Sequence, residues 1–287
     1  MILDRREFAR LVALSCAGGL DLARPAIASS ASAPPIYGVQ LYSVRTLLAG
    51  GLPSVLRAIR EIGYTQVELF WDVYSHPAQE LRAMIQDAGL TTSSGLFHFA
   101  GLESRIDYAK QLGLTYMVCP DIPKTYTASL DNMKQAGAEF NRLGELVRSA
   151  GMHLAYHNGN AEFRPIDGTN IFTALMDNTD PKLLGLEIDC YWAIQGGQDM
   201  NAMLKQYRDR VHLLHLKDRT AGTTVSYDPP PPGHFTDVGK GTIDWPSIFR
   251  QAHAQGIRYF FVDQDASSLP PLDSLKVSFS YLKSLKV

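Results

Sequence analysis

From residue 36 onward, short apolar runs alternate with stretches in which apolar residues recur every three or four positions. The runs are rich in β-branched and aromatic residues, which predicts buried strands, and the stretches have the period of an amphipathic helix, as in Leu52–Ile59. The predicted strands are Ile36–Leu41, Gln66–Phe70, Thr91–Leu96, Tyr116–Cys119, His153–His157, Leu184–Asp189, Val211–Leu216 and Tyr259–Val262. This order is typical of βα units around a parallel sheet.

Glycines support this repeating unit. A glycine separates a helical stretch from the next strand at Gly63, Gly89, Gly113, Gly151 and Gly256. Glycine often ends a helix because it adopts the left-handed conformation without a Cβ penalty. No Gly-x-Gly-x-x-Gly motif follows the first strand, which disfavours a dinucleotide-binding fold. We therefore predict an α/β protein with a single (β/α)8 TIM barrel over residues 34–287, close to the typical length of ~250 residues.

Residues 1–33 have the order of an export signal. Arg5 and Arg6 form a twin-arginine pair, Leu11–Leu20 is a short apolar region, and small residues follow at the place where a peptidase would cut. The apolar region is too short to span a bilayer. The alternatives are an amphipathic helix with an incidental arginine pair, or a lipoprotein signal in which Cys16 becomes the lipidated first residue. We predict export to the periplasm, with membrane attachment only if Cys16 is lipidated.

Composition narrows the choice of partners. Lys and Arg number 27 against 29 Asp and Glu, so the formal net charge is -2. This balance offers no broad basic surface for nucleic acid or an anionic membrane. Cys16, Cys119 and Cys190 are too few and too far apart for a zinc ribbon, a CxxC redox site or a disulfide framework. Any metal ion must therefore be held by histidines and carboxylates. We expect a small-molecule partner, and the sequence leaves the oligomeric state open.

Ionisable side chains collect where the predicted strands end, which is where TIM barrels carry their chemistry. These residues are Glu68, His98, His157, Glu162, Glu187, Asp189, His215, Lys217, Asp218, Asp263, Gln264 and Asp265. The longest irregular region, residues 221–242, follows the seventh strand, and a loop of this length in a compact domain is often a lid or a binding loop. We expect the functional site at this end of the barrel.

Two of the predicted strands place charged residues on one face. The period of two puts Glu187 and Asp189 on the same side of strand six, where two buried acids need a positive neighbour. A divalent cation would supply that charge. The alternative is that Glu187 packs deep against an arginine or lysine and only Asp189 reaches the mouth. On strand seven His215 and Lys217 share a face, and a lysine beside a metal can stabilise an oxyanion or transfer a proton.

Five sequence blocks point to a known family. They are Tyr156–Phe163, Leu186–Trp192, His215–Arg219, Gly239–Trp245 and Val262–Asp265. In this order they resemble motifs of the xylose isomerase-like TIM barrels, and more narrowly of the sugar phosphate isomerase/epimerase branch. The resemblance covers essentially all of residues 36–287. It implies a divalent metal ion, commonly Mn, Mg, Zn or Co, held by carboxylates and a histidine from strands five to eight.

The resemblance also implies a ligand set. Asp189 and His215 match the ligands of strands six and seven, and the acid of the last strand falls at Asp263. On strand five, either His157 or Glu162 completes the metal site. We therefore expect the metal ion to be held by a subset of these five residues.

Two positions depart from the pattern of the branch. Where the branch usually reads His-Asn-His, this chain has Gly159 as the third residue, and where it reads Val-Glu-Gln-Asp, this chain has Asp263 as the acid. Aspartate shortens the ligand arm by one methylene, and a displacement of more than about 0.5 Å loosens a preorganised site. The resemblance therefore predicts a metal site but leaves its affinity open.

The resemblance and the strand-end residues together predict an exported metal-dependent sugar isomerase or epimerase. Glu162, or His157 if it is not a ligand, would remove a proton next to a carbonyl, and Lys217 would stabilise or protonate the oxygen. Isomerisation, epimerisation and β-elimination on a keto-sugar share the enediolate that results, so the sequence does not choose among them. The predicted substrate-binding residues are His98, Asn158, Trp192, Asp218 and Gln264.

Two other classes of protein are compatible with part of this sequence. An apurinic endonuclease would share the barrel and the layout of the metal site, but it needs additional ligands and a basic surface for DNA, which the net charge of -2 disfavours. A periplasmic sugar-binding or partner protein, with a metal site weakened at Asp263, remains the alternative.

Overall fold

The computed structural model describes residues 34–285, so the predicted export signal at residues 1–33 lies outside the described residues. Within that range the chain forms an eight-stranded parallel sheet with the strand order β2-β1-β8-β7-β6-β5-β4-β3. The strands are β1 (Ile36–Gln40), β2 (Gln66–Glu68), β3 (Ser94–Leu96), β4 (Tyr116–Cys119), β5 (His153–His157), β6 (Leu184–Asp189), β7 (Val211–Leu216) and β8 (Tyr259–Val262). The predicted α/β class and (β/α)8 barrel are confirmed.

The sheet closes into a barrel at the seam between β2 and β3. The amide N–H of Leu69 donates to the carbonyl of Ser94 at 3.2 Å, and the N–H of Leu96 donates to the carbonyl of Leu69 at 2.8 Å. The predicted strands Gln66–Phe70 and Thr91–Leu96 are longer than the observed ones, because the chain pairs here through single bridges rather than a continuous ladder.

Helices cover the outside of the barrel. In the described part of the chain they are α1 (Leu52–Ile62), α2 (Ala78–Asp87), α3 (Ile106–Leu112), α4 (Lys124–Thr127), α5 (Leu130–Ser149), α6 (Ile171–Asp177), α7 (Cys190–Gln195), α8 (Met200–Gln206), α9 (Trp245–Ala254) and α10 (Pro271–Ser284). Helix α1 buries Val55, Leu56 and Ile59 along one face and ends at Gly63, whose φ of 119° favours glycine. Across residues 34–285, none of the helices has the length and apolarity needed to cross a membrane.

Alternation along the strands separates an apolar outer layer from a polar interior. On β6, Leu186 and Ile188 belong to the hydrophobic core, whereas Glu187 between them reaches His215 on β7. His215 also contacts Glu68 on β2, a strand that is not its neighbour in the sheet. These side chains therefore meet inside the barrel, where all three are fully buried.

The long loop after β7 is tied to its neighbours at the mouth of the barrel. Its base is closed by antiparallel pairing of Asp218–Arg219 with Phe235–Thr236. Further along, the side-chain amide of Asn160, in the loop after β5, donates to the carbonyls of Ser226 and Asp228, both at 2.9 Å. The loop at residues 221–242, which we expected to be a lid or a binding loop, is therefore held against the loop after β5.

Candidate metal centre

Four buried side chains meet at the carboxyl ends of β5 to β8. One ligand atom from each of His157, Asp189, His215 and Asp263 lies within 4.8 Å of every other. His157 Nε2 is 3.0 Å from His215 Nδ1 and 3.5 Å from Asp189 Oδ2, and His215 Nδ1 is 3.3 Å from Asp263 Oδ2. The parallel strands bring these residues together because their carboxyl ends share one edge of the barrel.

This donor set fits a divalent metal ion. Two imidazole nitrogens and two carboxylate oxygens suit Zn, Mn, Co and similar ions. Asp189 Oδ2 is buried and faces positive charge, since the Lys217 ammonium lies 2.7 Å from it, so this oxygen stands where a cation is favoured. The residues present therefore match the ligand chemistry that the sequence predicted, with His157 in the fifth-strand position.

Lys217 lies beside the same carboxylates. Its ammonium nitrogen is 2.7 Å from Asp189 Oδ2 and 2.8 Å from Asp265 Oδ2, and it also contacts Asp263 Oδ2. Burial lowers the pKa of Lys217, but the negative charges of Asp189, Asp263 and Asp265 outweigh burial and hold that pKa well above its ordinary value. The ammonium therefore stays charged, and it offsets one of the three negative charges around it.

A second polar layer lies beneath this group. Glu68 Oε2 contacts His215 Nε2, and Glu187 Oε2 lies 3.1 Å from the same nitrogen. Burial alone raises the pKa of Glu68, but the charge and hydrogen bond of His215 outweigh burial and lower it. Burial and the charge of Glu68 raise the pKa of Glu187 well above its ordinary value. The pKa values of these two neighbouring carboxyl groups are therefore pushed apart, with Glu187 the weaker acid of the pair.

Local hydrogen bonds fix the position of Asp189. Its carboxylate Oδ1 caps helix α7 by accepting the N–H of Trp192 at 2.9 Å. The side-chain amide of Asn158 brackets its backbone, accepting the N–H of Asp189 at 3.1 Å and donating to its carbonyl at 3.3 Å. We call His157, Asp189, His215 and Asp263 the ligand group. The remaining oxygen of Asp189, Oδ2, faces the other members of this group.

Glu162 lies outside the ligand group. It follows β5 in a short helical turn, and its Oε1 accepts a hydrogen bond from the hydroxyl of Tyr156 at 2.9 Å. His157, the last residue of β5, contributes the fifth-strand atom to the group instead. Of the two residues that the sequence left open as ligands, the geometry favours His157. The prediction of Glu162 as a ligand is not supported, because the turn after β5 directs its carboxylate to Tyr156.

Two of the predicted substrate-binding residues lie with accessible side chains at the mouth. The His98 side chain is about half exposed, stacks on Trp71 with ring centroids 4.3 Å apart, and is bonded to Asp121 at 3.3 Å. The ring of Trp192 is half-buried and lies 5.3 Å from the Lys217 ammonium. Both rings are placed where a sugar ring can stack.

The other three predicted substrate-binding residues are engaged by the protein itself. Asn158 is committed to the backbone of Asp189. Gln264 donates from its amide nitrogen to the carbonyls of Thr236 and Ala266 and so joins the loops after β7 and β8. Both side chains are buried, and they hold the loops and strand ends in place, while their contact with substrate stays a prediction.

Asp218 is engaged by the protein in the same way, and its contact with substrate also stays a prediction. Its Oδ1 accepts the backbone N–H of Arg219 at 2.8 Å and of Ile243 at 3.1 Å. Its Oδ2 accepts the N–H of Gly239 at 2.9 Å and the indole N–H of Trp245 at 2.8 Å. With four donors on a fully buried carboxylate, no lone pair is directed at the mouth.

Sequence reasoning assigned no site role to Glu68 and Asp265 and left the role of Glu187 open. Glu68 and Asp265 were noted only as polar residues at strand ends, and both contact members of the site. Glu187 packs deep, as one alternative held, but against His215 and Glu68 rather than an arginine or lysine. The alternation on β2 was the available signal for Glu68, since it places this acid inside the barrel.

The comparison with protein families agrees with this geometry. The sequence model of the family described as xylose isomerase-like TIM barrel matches residues 56–285. The chain therefore belongs to the xylose isomerase-like TIM barrel family, as its motifs predicted.

Curated relatives include several inosose dehydratases. The one from Clostridium perfringens is 29% identical over 178 residues, which cover 58% of this chain and 59% of the relative. The one from Geobacillus kaustophilus is 24% identical over 282 residues, which cover 81% of this chain and 86% of the relative. The chain thus spans between 51% and 59% of the length of the first curated relatives that it matches.

Solved structures resemble the whole barrel. A sugar phosphate isomerase/epimerase from Parabacteroides distasonis has a TM-score of 0.73 and 28% identity, covering 89% of this chain and 96% of that chain. The 3-keto-D-glucoside 4-epimerase of E. coli has a TM-score of 0.66 at 16% identity, covering 87% of this chain and 99% of that chain. Because its identity to this chain is only 16%, the likeness to the E. coli epimerase supports the fold alone.

Replacing Asp218 tests whether its carboxylate stabilises the fold by accepting N–H groups of the surrounding loops. In Asp218→Asn an amide NH2 faces N–H donors that the carboxylate oxygens now satisfy, so we expect the free energy of unfolding to fall by about 1–3 kcal/mol. Urea denaturation followed by tryptophan fluorescence measures this change. The control is Asp228→Asn, in the same loop, where a 79% exposed side chain pairs only with Arg164 and the expected change is below about 0.5 kcal/mol. A wild-type midpoint for Asp218→Asn would contradict the structural role.

Proposed function

We propose that this protein is a divalent-metal-dependent isomerase, epimerase or dehydratase that acts on a sugar or a sugar-derived ketone. The observation that carries this proposal is that one ligand atom from each of His157, Asp189, His215 and Asp263 lies within 4.8 Å of every other at the mouth of the barrel. In TIM barrel enzymes this end of the barrel carries the catalytic residues.

The names of the relatives support the same class of reaction. Inosose dehydratases and a sugar phosphate isomerase/epimerase are among the proteins similar to this chain. Isomerisation, epimerisation and dehydration all begin when a proton leaves the carbon next to a carbonyl. A site that acidifies this proton and stabilises the oxyanion serves all three reactions.

In the proposed mechanism, His157, Asp189, His215 and Asp263 hold the cation. When bound, it supplies positive charge that polarises adjacent carbonyl and hydroxyl oxygens and acidifies the C–H bond between them. Lys217 contacts Asp189, Asp263 and Asp265, so it holds these carboxylates in position and adds positive charge near the oxygen that gains negative charge. The ammonium is fully buried, so its charge acts with little screening by water.

Two carboxylates outside the ligand group are the proposed proton acceptors. Asp265 is 2.8 Å from the Lys217 ammonium, and its side chain is 26% exposed while that of Lys217 is fully buried. Glu162 keeps the role of base predicted from the sequence as the second candidate, and its Oε2 has no hydrogen-bond partner among the described residues. His157, the other predicted base, serves as a ligand in this mechanism. Trp192 and His98 offer ring faces to the substrate.

One observation favours a second candidate function. The Lys217 ammonium contacts Asp189 and Asp263, which are also the two carboxylates of the ligand group. A lysine that neutralises these acids permanently would leave a sugar-binding protein without metal chemistry. The metal content of the purified protein separates the two functions.

Metal analysis tests the proposed function directly. We expect near-stoichiometric Mn, Zn, Co or Mg in the wild-type protein by elemental mass spectrometry, and loss of that metal in Asp189→Ala and His215→Ala because each removes one ligand. Glu162→Gln is the matched control, and it should retain the metal because Glu162 lies outside the ligand group.

The possible results separate the alternatives. A wild-type protein that takes up no metal even after loading would contradict the proposal and favour the sugar-binding function. Loss of metal in Glu162→Gln would instead show that Glu162 is the fifth-strand ligand.

We also propose that residues 1–33 direct export through the twin-arginine route, which carries proteins already folded with their cofactors. Support comes from Arg5 and Arg6 followed by an apolar region and small residues. Fractionation of a bacterium producing the full chain should place the wild-type protein in the periplasm and the Arg5→Lys, Arg6→Lys double variant in the cytoplasm. Unchanged export of the double variant would contradict this proposal. Release of the protein from membranes by Cys16→Ser would indicate lipidation.

A further inference from the structure

Glu68 reaches the candidate metal centre from the far side of the barrel. It lies on β2, three strands away from β7 in the sheet, and it is fully buried. One oxygen accepts the hydroxyl of Ser94 on β3 at 2.5 Å, and the other accepts the side-chain N–H of Gln40 on β1 at 3.2 Å. Because donors from two different strands hold its two oxygens, the carboxylate is fixed independently of its contact with His215.

The contact with Glu68 determines which nitrogen of His215 faces the ligand group. Nε2 of His215 points to Glu68 Oε2, whereas Nδ1 lies 3.3 Å from Asp263 Oδ2 and 3.0 Å from His157 Nε2. An imidazole that binds a metal through one nitrogen carries its proton on the other, and a buried N–H without an acceptor is costly. Glu68 supplies the acceptor for Nε2–H and so leaves Nδ1 for the cation.

Glu187 also lies near His215 Nε2, but it makes no directed hydrogen bond to that nitrogen. Its Oε2 is 3.1 Å from His215 Nε2, yet neither of its oxygens has a well-directed hydrogen bond. An acid that is close without a directed bond does not select a ring orientation. Glu187 therefore provides a control for Glu68, since it is a second glutamate, equally buried, beside the same imidazole nitrogen.

We propose that Glu68 is a positioning residue, held by Gln40 and Ser94, that presents His215 Nδ1 to the metal ion. The metal part of this proposal rests on the proposed function. The hydrogen bond from His215 Nε2–H to Glu68 is a separate claim that holds in the metal-free protein as well. Outer carboxylates that bond to a metal-binding histidine typically contribute about 10–100-fold to metal affinity.

Substitution of Glu68 gives two variants with opposite expectations. In Glu68→Gln the amide oxygen still accepts from His215 and Gln40 while its NH2 donates to the Ser94 hydroxyl, so the ring of His215 stays in place. In Glu68→Leu the acceptor is lost. Titration with Mn²⁺ should show affinity about 10–100-fold weaker for Glu68→Leu, and affinity close to wild type for Glu68→Gln and Glu187→Gln.

A spectroscopic measurement on the metal-free protein tests the hydrogen bond itself. In protein labelled with ¹⁵N-histidine, the Nε2–H proton of His215 should be slowly exchanging and observable in the wild type, in Glu68→Gln and in Glu187→Gln. It should be absent in Glu68→Leu, with His215→Gln providing the assignment. A merely structural role for Glu68 would lower stability without removing this resonance selectively.

The outcomes distinguish this proposal from the proposed function. A wild-type protein that binds no Mn²⁺ but shows the resonance contradicts the proposed function and supports the bond between Glu68 and His215. Wild-type affinity in a folded Glu68→Leu, or an equal loss of affinity in Glu187→Gln, overturns the positioning role. If Glu68→Leu does not fold, the wild type and Glu68→Gln decide: absence of the His215 Nε2–H resonance in both overturns the proposal.

Discussion

Charge compensation inside the barrel is the constraint on which the rest of the structure depends. Carboxylates removed from water are costly unless cations and hydrogen bonds replace the lost solvation. The acids that meet inside or at the mouth of the barrel are Glu68, Glu187, Asp189, Asp263 and Asp265, and the cationic side chains among them are Lys217 and His215. The ammonium of Lys217 offsets part of the negative charge, and a divalent cation between the histidines and aspartates would offset more of it.

The surrounding elements hold this group in place by polar contacts rather than by apolar packing alone. Asn158 brackets the backbone of Asp189, and the N-terminus of α7 takes one of its carboxylate oxygens, so the other faces the ligand group. Asp218 and Gln264 organise the loops after β7 and β8 in the same manner. Some polar residues of the family motifs therefore face the mouth of the barrel. Others hold those residues in position by hydrogen bonds.

The sequence predicted the barrel and most of the ligand group for a simple reason. Strand periodicity and strand ends are local properties, and they place His157, Asp189, His215 and Asp263 at one edge of a parallel sheet. Contacts across the barrel are not local, so the partner of Glu187 and the bond between Glu68 and His215 could not be read from spacing. Whether a buried amide or carboxylate bonds to the backbone depends on partners in distant loops, so the internal hydrogen bonds of Asn158, Asp218 and Gln264 could not be predicted from the sequence.

The metal centre can be located by anomalous diffraction at the zinc edge, from crystals grown with Zn²⁺. We expect one ion at the mouth, bonded at about 2.0–2.2 Å to His157 Nε2, Asp189 Oδ2, His215 Nδ1 and Asp263 Oδ2, with His215 Nε2 still bonded to Glu68. A structure in which no ion binds there and the Lys217 ammonium remains between Asp189 and Asp263, or in which His215 binds the ion through Nε2, would contradict this expectation.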